Sequence, residues 1–173
     1  MSGLYKIPLS GLKEGLHTYD FEIGNEFFEL FEESEIREGE LRVDAELTKR
    51  SSHYDLIIRI EGAVMVECDR CLEKFSQPIS CVNKLLIKPG KEWDDSEPDM
   101  LTIPADEYEL DISQYIYEFV HLSIPLKRTH PDDEKGNSTC DPVMLQKLKE
   151  HLINIEKAGD PRWDELKKLM NDN

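Results

Sequence analysis

The sequence predicts an α+β fold, a mainly antiparallel sheet followed by C-terminal helices. Apolar and polar residues alternate with a period of two through most of residues 16–87, while spacings of three and four gather after residue 110. Strands therefore mostly precede helices, which favours an antiparallel sheet over an alternating βαβ arrangement. The 173 residues are read as one domain, mainly β with a short helix to residue 110 and mainly helical from 111 onward.

His17, Tyr19, Phe21 and Ile23 share one side of a half-buried strand, opposite Thr18, Asp20 and Glu22. Asn25 is placed to cap a short helix carrying Phe27, Phe28 and Phe31 on one stripe. Leu41, Val43, Ala45 and Leu47 then alternate with Arg42, Asp44, Glu46 and Thr48. Tyr54, Leu56, Ile58 and Ile60 repeat the pattern, and Val64, Val66 and Cys68 carry it past Gly62, where a bulge is expected. Phe75, Ile79, Cys81, Leu85 and Ile87 share the parity of another long strand, with Pro78 at an edge or a bulge. Between these two strands lies the short turn Cys68-Asp69-Arg70-Cys71, the tip of a hairpin.

Residues 89–99 are turn-rich and acidic and read as a loop, and Leu101, Ile103 and residues 108–110 as short edge strands. Asp111 is placed to cap a helix with Ile112, Tyr115, Ile116, Phe119 and Val120 at helical spacing, ending before Pro125. Asp141-Pro142 is a cap followed by proline at the first helical position. Leu145, Leu148, Leu152 and Ile155 form the stripe of that helix; Gly159 stops it, and Asp160-Pro161 opens a last helix with Trp163, Leu166 and Leu169. Both stripes are read as facing the core.

A net charge of −16 repels phosphate backbones, so tight binding to bare RNA is not expected and a basic protein partner is. No apolar stretch approaches the roughly 18 residues needed to span a bilayer, and Lys6, Lys13 and Glu14 interrupt the start where a signal peptide would be apolar. The protein is therefore read as cytoplasmic. No nucleophile elbow, phosphate-cradling glycine loop or H-E-x-x-H helix occurs, and the carboxylates lack apolar framing. A non-enzymatic protein without a small-molecule substrate is expected.

The cysteines carry the remaining chemistry. Cys68 and Cys71 form C-x-x-C, Cys140 stands before the penultimate helix, and His130 lies upstream in the same polar connection. Thiolate and imidazole suit zinc, and a two-residue gap lets one tight turn present both sulfurs to one ion. Three other chemistries compete. A thioredoxin-like redox pair should open a helix, whereas strand alternation follows Cys71; a disulfide is disfavoured in the cytosol; and a cysteine also packs as a small hydrophobe, which suits Cys81. Arg70 and Lys74 flank the hairpin, and Lys127 and Arg128 precede His130. A metal joining these segments would gather the four cations as a contact for a partner or RNA, unless they merely neutralise neighbouring acids.

Residues Val66-Glu67-Cys68-Asp69-Arg70-Cys71-Leu72-Glu73 resemble the YceD family, whose members carry a C-x-R-C-L-E hairpin. Leu110-Asp111-Ile112-Ser113 through Leu122-Ser123-Ile124-Pro125-Leu126 is similar to the family's second motif, a helix ending in proline. Cys140 takes the place of a cysteine past that proline. The likeness spans roughly Leu41 to Cys140. Many members carry more cysteines in that last stretch, where this chain has His130 and Cys140 alone, with Glu134 between them. The resemblance implies a role in accumulation or processing of large-subunit ribosomal RNA, through ribosomal or RNA-processing partners. A thiol redox enzyme or sensor using Cys68 and Cys71 is the competing function.

Overall fold

Alternation in the chain becomes sheet in the structure, a computed structural model that describes residues 4–152. The expected last helix with Trp163, Leu166 and Leu169 lies outside the described residues, as do Ile155 and Gly159. The elements are β1 (Lys6–Pro8), β2 (Gly15–Ile23), α1 (Asn25–Phe28), β3 (Gly39–Lys49), β4 (Tyr54–Glu67), β5 (Lys74–Gly90), β6 (Asp94–Glu97), β7 (Met100–Pro104), β8 (Glu109–Asp111), α2 (Ser113–Ser123) and α3 (Pro142–His151). Six strands form one sheet in the order β2-β3-β4-β5-β7-β6, and β1 pairs with β8 separately. All sheet pairings are antiparallel except β5 with β7.

The three central strands have the expected parity. Val43 and Leu47 on β3, Leu56, Ile58 and Ile60 on β4, and Ile79 and Ile87 on β5 are all buried. Helix α2 lies against β5 and β4 and adds Ile116 and Val120, while α1 adds Phe27 and Phe28, packed edge-on at 5.4 Å between ring centroids. Each such side chain contributes about 1.5–3 kcal/mol when removed from water. The sheet thus carries an extensive apolar core.

Several local expectations are corrected. Gly62 marks no bulge: Leu41 faces Gly62 and Gly62 faces Ile79 in registers that run unbroken along β4. Its φ of +145° and its closeness to the Glu40 carbonyl explain the glycine instead. Asn25 is the first residue of α1 rather than its cap; its Oδ1 accepts the Gly39 N–H at 3.0 Å and so ties α1 to the start of β3. Asp111 ends β8, and the capping position of α2 is Ile112, while the Asp111 carboxylate accepts the Ser113 N–H at 2.9 Å. Phe31 falls outside that helix and stacks on Tyr117 at 3.9 Å. Residues 94–97 of the expected acidic loop are strand β6, paired with β7, so Leu101 and Ile103 are interior, between β5 and β6, and both buried. Pro78 does lie on the part of β5 that β7 leaves unpaired.

Strand β1 was not anticipated. Its Ile7 is fully buried, and Lys6 forms an ion pair with Glu109 of β8. Helix α3 starts as expected, with the Asp141 carboxylate accepting the Val143 and Met144 N–H groups at 3.2 and 3.1 Å. Its stripe is not core-facing along its length: Met144 and Leu145 pack partly against the core, while Leu148 and Leu152 are exposed. A helix with so little burial depends on its cap. Asp141→Ala should cost α3 about 1 kcal/mol, read as lost amide-exchange protection at Val143 and Met144 with β3–β5 unchanged; unaltered protection there would contradict the cap.

Candidate metal centre

Glu67 ends β4 and Lys74 starts β5, and the turn between them is closed by the Cys68 N–H on the Glu73 carbonyl and the Leu72 N–H on the Cys68 carbonyl, both at 2.9 Å. This tight turn places Leu72 at a φ of +63°, a conformation uncommon for leucine, and leaves its side chain 66% exposed. Both thiols point inward and are buried. The C-x-x-C therefore sits on a strand–turn–strand, not at the head of a helix as in a thioredoxin-like site.

The segment after α2 docks on this tip through a reciprocal backbone contact. The Asp69 N–H donates to the Arg128 carbonyl at 2.7 Å, and the Arg128 N–H donates to the Asp69 carboxylate at 2.7 Å. His130 follows and lies against the buried Phe75, ring centroids 4.8 Å apart. Residues 131–139 then turn back on themselves, with the Asp133 carboxylate accepting the Lys135 and Asn137 N–H groups and Thr139 Oγ1 donating to the Pro131 carbonyl. The Asn137 side chain, which donates to Asp133 Oδ2 at 3.1 Å, and then the Asn137 and Lys135 N–H groups hold the Asp133 carboxyl below its ordinary pKa. The turn delivers Cys140, buried, beside His130.

The structure thus brings together Cys68, Cys71, His130 and Cys140, with all four ligand atoms within 4.8 Å of one another. Cys68 Sγ lies 3.7 Å from Cys140 Sγ, and His130 Nδ1 lies 3.4 Å from Cys71 Sγ and 3.7 Å from Cys140 Sγ. A tetrahedral ion with metal–sulfur bonds of about 2.3 Å and metal–nitrogen bonds of about 2.1 Å has S···S edges of about 3.8 Å and S···N edges of about 3.6 Å. The three contacts match those edges within a few tenths of an ångström. Three thiols and one imidazole form a donor set close enough to hold a metal, and Glu134, exposed on the 131–139 turn, is not part of it.

Burial would raise the Cys68 thiol, but the N–H groups of Arg70, Cys71 and His130, with the His130 ring, outweigh it and lower its pKa to about 6. Cys71 is raised, by burial first and by the neighbouring Cys68 and Cys140 sulfurs. Cys81 lies outside the cluster, half-buried, with its Sγ 3.9 Å from the Phe119 carbonyl, and burial raises its thiol as well.

The four cations do not form one free patch. Lys74 pairs with Glu38 at 2.8 Å, and Arg128 pairs with Glu35 at 3.1 Å and with Asp69 at 3.5 Å. Arg70 and Lys127 have no ion pair among the described residues, and each neighbours a docking residue, Asp69 or Arg128. Sequence reasoning missed Asp69 and Phe75, which hold the histidine segment in place. The only signal for Asp69 was its aptitude for turns, where a short carboxylate accepts backbone N–H groups.

No helix among the described residues is long and apolar enough to cross a membrane. A family model described as large ribosomal RNA subunit accumulation protein YceD matches residues 56–170, well over half of the chain. No curated protein and no solved structure matches it.

Proposed function

The chain belongs to the YceD family of large ribosomal RNA subunit accumulation proteins, and from that premise we propose that it is a non-enzymatic cytoplasmic factor of ribosome biogenesis. It supports accumulation of large-subunit ribosomal RNA through a basic ribosomal or RNA-processing protein. The observation behind a scaffold rather than a catalyst is the donor set itself. Four protein ligands lie within 4.8 Å of one another, and that number fills a tetrahedral structural site, whereas a catalytic metal keeps a position open for water or substrate.

Zinc is the ion we assign to it, since a set of three thiolates and one imidazole suits it best. Bound there, zinc would supply cross-linking rather than chemistry. Cys68 and Cys71 would hold it on the β4–β5 tip, while His130 and Cys140 bring in the segment that leads to α3. Arg70 and Lys127, in no ion pair among the described residues, are the cations for an RNA contact at this tip, and Lys74 and Arg128 serve first to fix Glu38, Glu35 and Asp69. The net charge of −16 keeps any such contact with RNA weak.

Cells lacking the protein should be short of large-subunit ribosomal RNA and regain it with the wild-type chain. A Cys68→Ser, Cys71→Ser chain, shown to keep its sheet, should fail to restore it, while Glu134→Gln should restore it fully. Full rescue by the folded double variant would remove the hairpin from the function. Turnover of a thiol substrate with reversible oxidation of Cys68 and Cys71 would put a redox enzyme in place of a scaffold.

A further inference from the structure

Away from the thiol cluster, a groove of about 510 Å³ lies between α2 and the β6–β7 hairpin. Its floor is apolar, with Leu85, Leu101 and Phe119, and its rim carries Asp94, Asp95, Glu97, Asp111 and Glu118 beside Trp93. Among the described residues no lysine or arginine lines it, and none of these five carboxylates is in an ion pair. Burial, and then Asp95 and Glu118, raise the Tyr115 hydroxyl at its wall, as a negative field should.

The groove borders an open sheet edge. Among the described residues, strand β6 ends the six-stranded order, pairs only with β7, and is exposed at all four positions. Acidic residues on an edge strand discourage pairing between copies of one acidic chain, and that protective role accounts for Asp94, Asp95 and Glu97 alone. It does not account for an indole left 52% exposed beside an apolar floor. Exposed tryptophan among carboxylates is a good partner for a cation, whose attraction to the ring face adds to its ion pairs.

We propose that this groove receives an extended, lysine- and arginine-rich segment of the partner protein, laid along the outer edge of β6. Main-chain hydrogen bonds to β6 position the segment, one cationic side chain covers Trp93, and others reach Asp95, Glu97 and Glu118. The reading rests on the proposed function, in which the partner is a basic protein, and it says where that partner is held. RNA is the wrong occupant, because its phosphates would face carboxylates unopposed by any cation of the groove.

The probe is a short fluorescein-labelled peptide alternating arginine and threonine, added to the full chain carrying Trp163→Phe so that Trp93 alone reports. The peptide should change Trp93 emission. Asp95→Asn with Glu118→Gln should weaken it about tenfold, and the charge-matched pair Glu22→Gln with Glu61→Gln less than about twofold. Equal weakening by the two pairs would mean diffuse attraction to an acidic protein and would overturn the proposal, as would peptide binding that leaves Trp93 unchanged. Duplex RNA altering Trp93 emission in place of the peptide would overturn it too. In cells, the Asp95 and Glu118 pair should lower large-subunit ribosomal RNA. Full rescue by that pair, where the cysteine double variant fails, sinks the groove and leaves the functional reading standing. Normal ribosomal RNA in cells lacking the protein sinks the functional reading, and the groove's role with it.

Discussion

Stripping the metal from reduced protein is expected to release residues 129–151 while the six-stranded sheet stays folded. Structural zinc contributes on the order of 10–16 kcal/mol in small finger peptides, which are unfolded without it. Here Cys68, Cys71 and Cys140 are three members of a much larger apolar core, and Ile58, Ile60, Leu47 and their neighbours bury the sheet without contributing ligands. Helix α3 is in the opposite position. It has no buried residue, and its attachment runs through Cys140 and His130, with only Met144 and Leu145 partly packed. Elemental analysis of freshly reduced protein should find one zinc per chain. After chelation, or in Cys140→Ser, amides of Asp69, Cys140 and Leu145 should lose about a hundredfold or more of their exchange protection, while β3, β4 and β5 keep theirs. Absence of metal from the reduced protein would refute the cluster as a binding site; collapse of the sheet on chelation would refute the independence of the core.

Gly62→Ala should be the most damaging substitution at any exposed position of the sheet. A Cβ on Gly62 would stand 2.2 Å from the Glu40 carbonyl oxygen and 2.8 Å from the Leu41 Cα, and both are backbone atoms of the neighbouring strand. No rotamer change relieves that contact, so β3 and β4 would have to part where their ladder is continuous. The φ of +145° adds backbone strain. Together these should cost on the order of 3–5 kcal/mol, a fall in the urea midpoint of roughly 1–2 M. Gly11→Ala is the control. Its φ is +74°, but an added Cβ meets nothing within 4 Å, so only the strain, about 1 kcal/mol, should appear. Equal losses in the two variants would show that the close approach at Gly62 does not matter.

Much of this was legible in the sequence because it is local or periodic. Strands β3, β4 and β5 announce themselves by parity, and Cys68 and Cys71 announce a hairpin tip because strand patterns run up to them and away from them. His130 and Cys140 were legible only as ligand types. They meet Cys71 and Cys68 across 59 and 72 residues, a closure that no window of sequence reports. What failed to show has physical reasons. Asp94-Asp95-Ser96-Glu97 has no strand propensity, and β6 exists because β7 offers it a ladder. The side chain of Asn25 answers a distant Gly39 N–H in preference to its own helix. Leu148 and Leu152 have the spacing of a buried stripe, but spacing reports that a face is apolar and not what covers it.

The pairing pattern also sets an order of assembly. Strands β4 and β5 pair along all fourteen residues of β4 across a six-residue turn at 68–73, whereas Lys6 must find Glu109 at a separation of 103 residues. Loop closure over about 100 residues costs roughly 2.5 kcal/mol more than over about six. The long hairpin can therefore zip first, presenting Cys68 and Cys71 before His130 and Cys140 have arrived to complete the ligand set. Ion capture is then stepwise, two thiols followed by a histidine and a third thiol. As the chain leaves the ribosome, β1 emerges about a hundred residues ahead of β8, the strand it pairs with, and must wait for it.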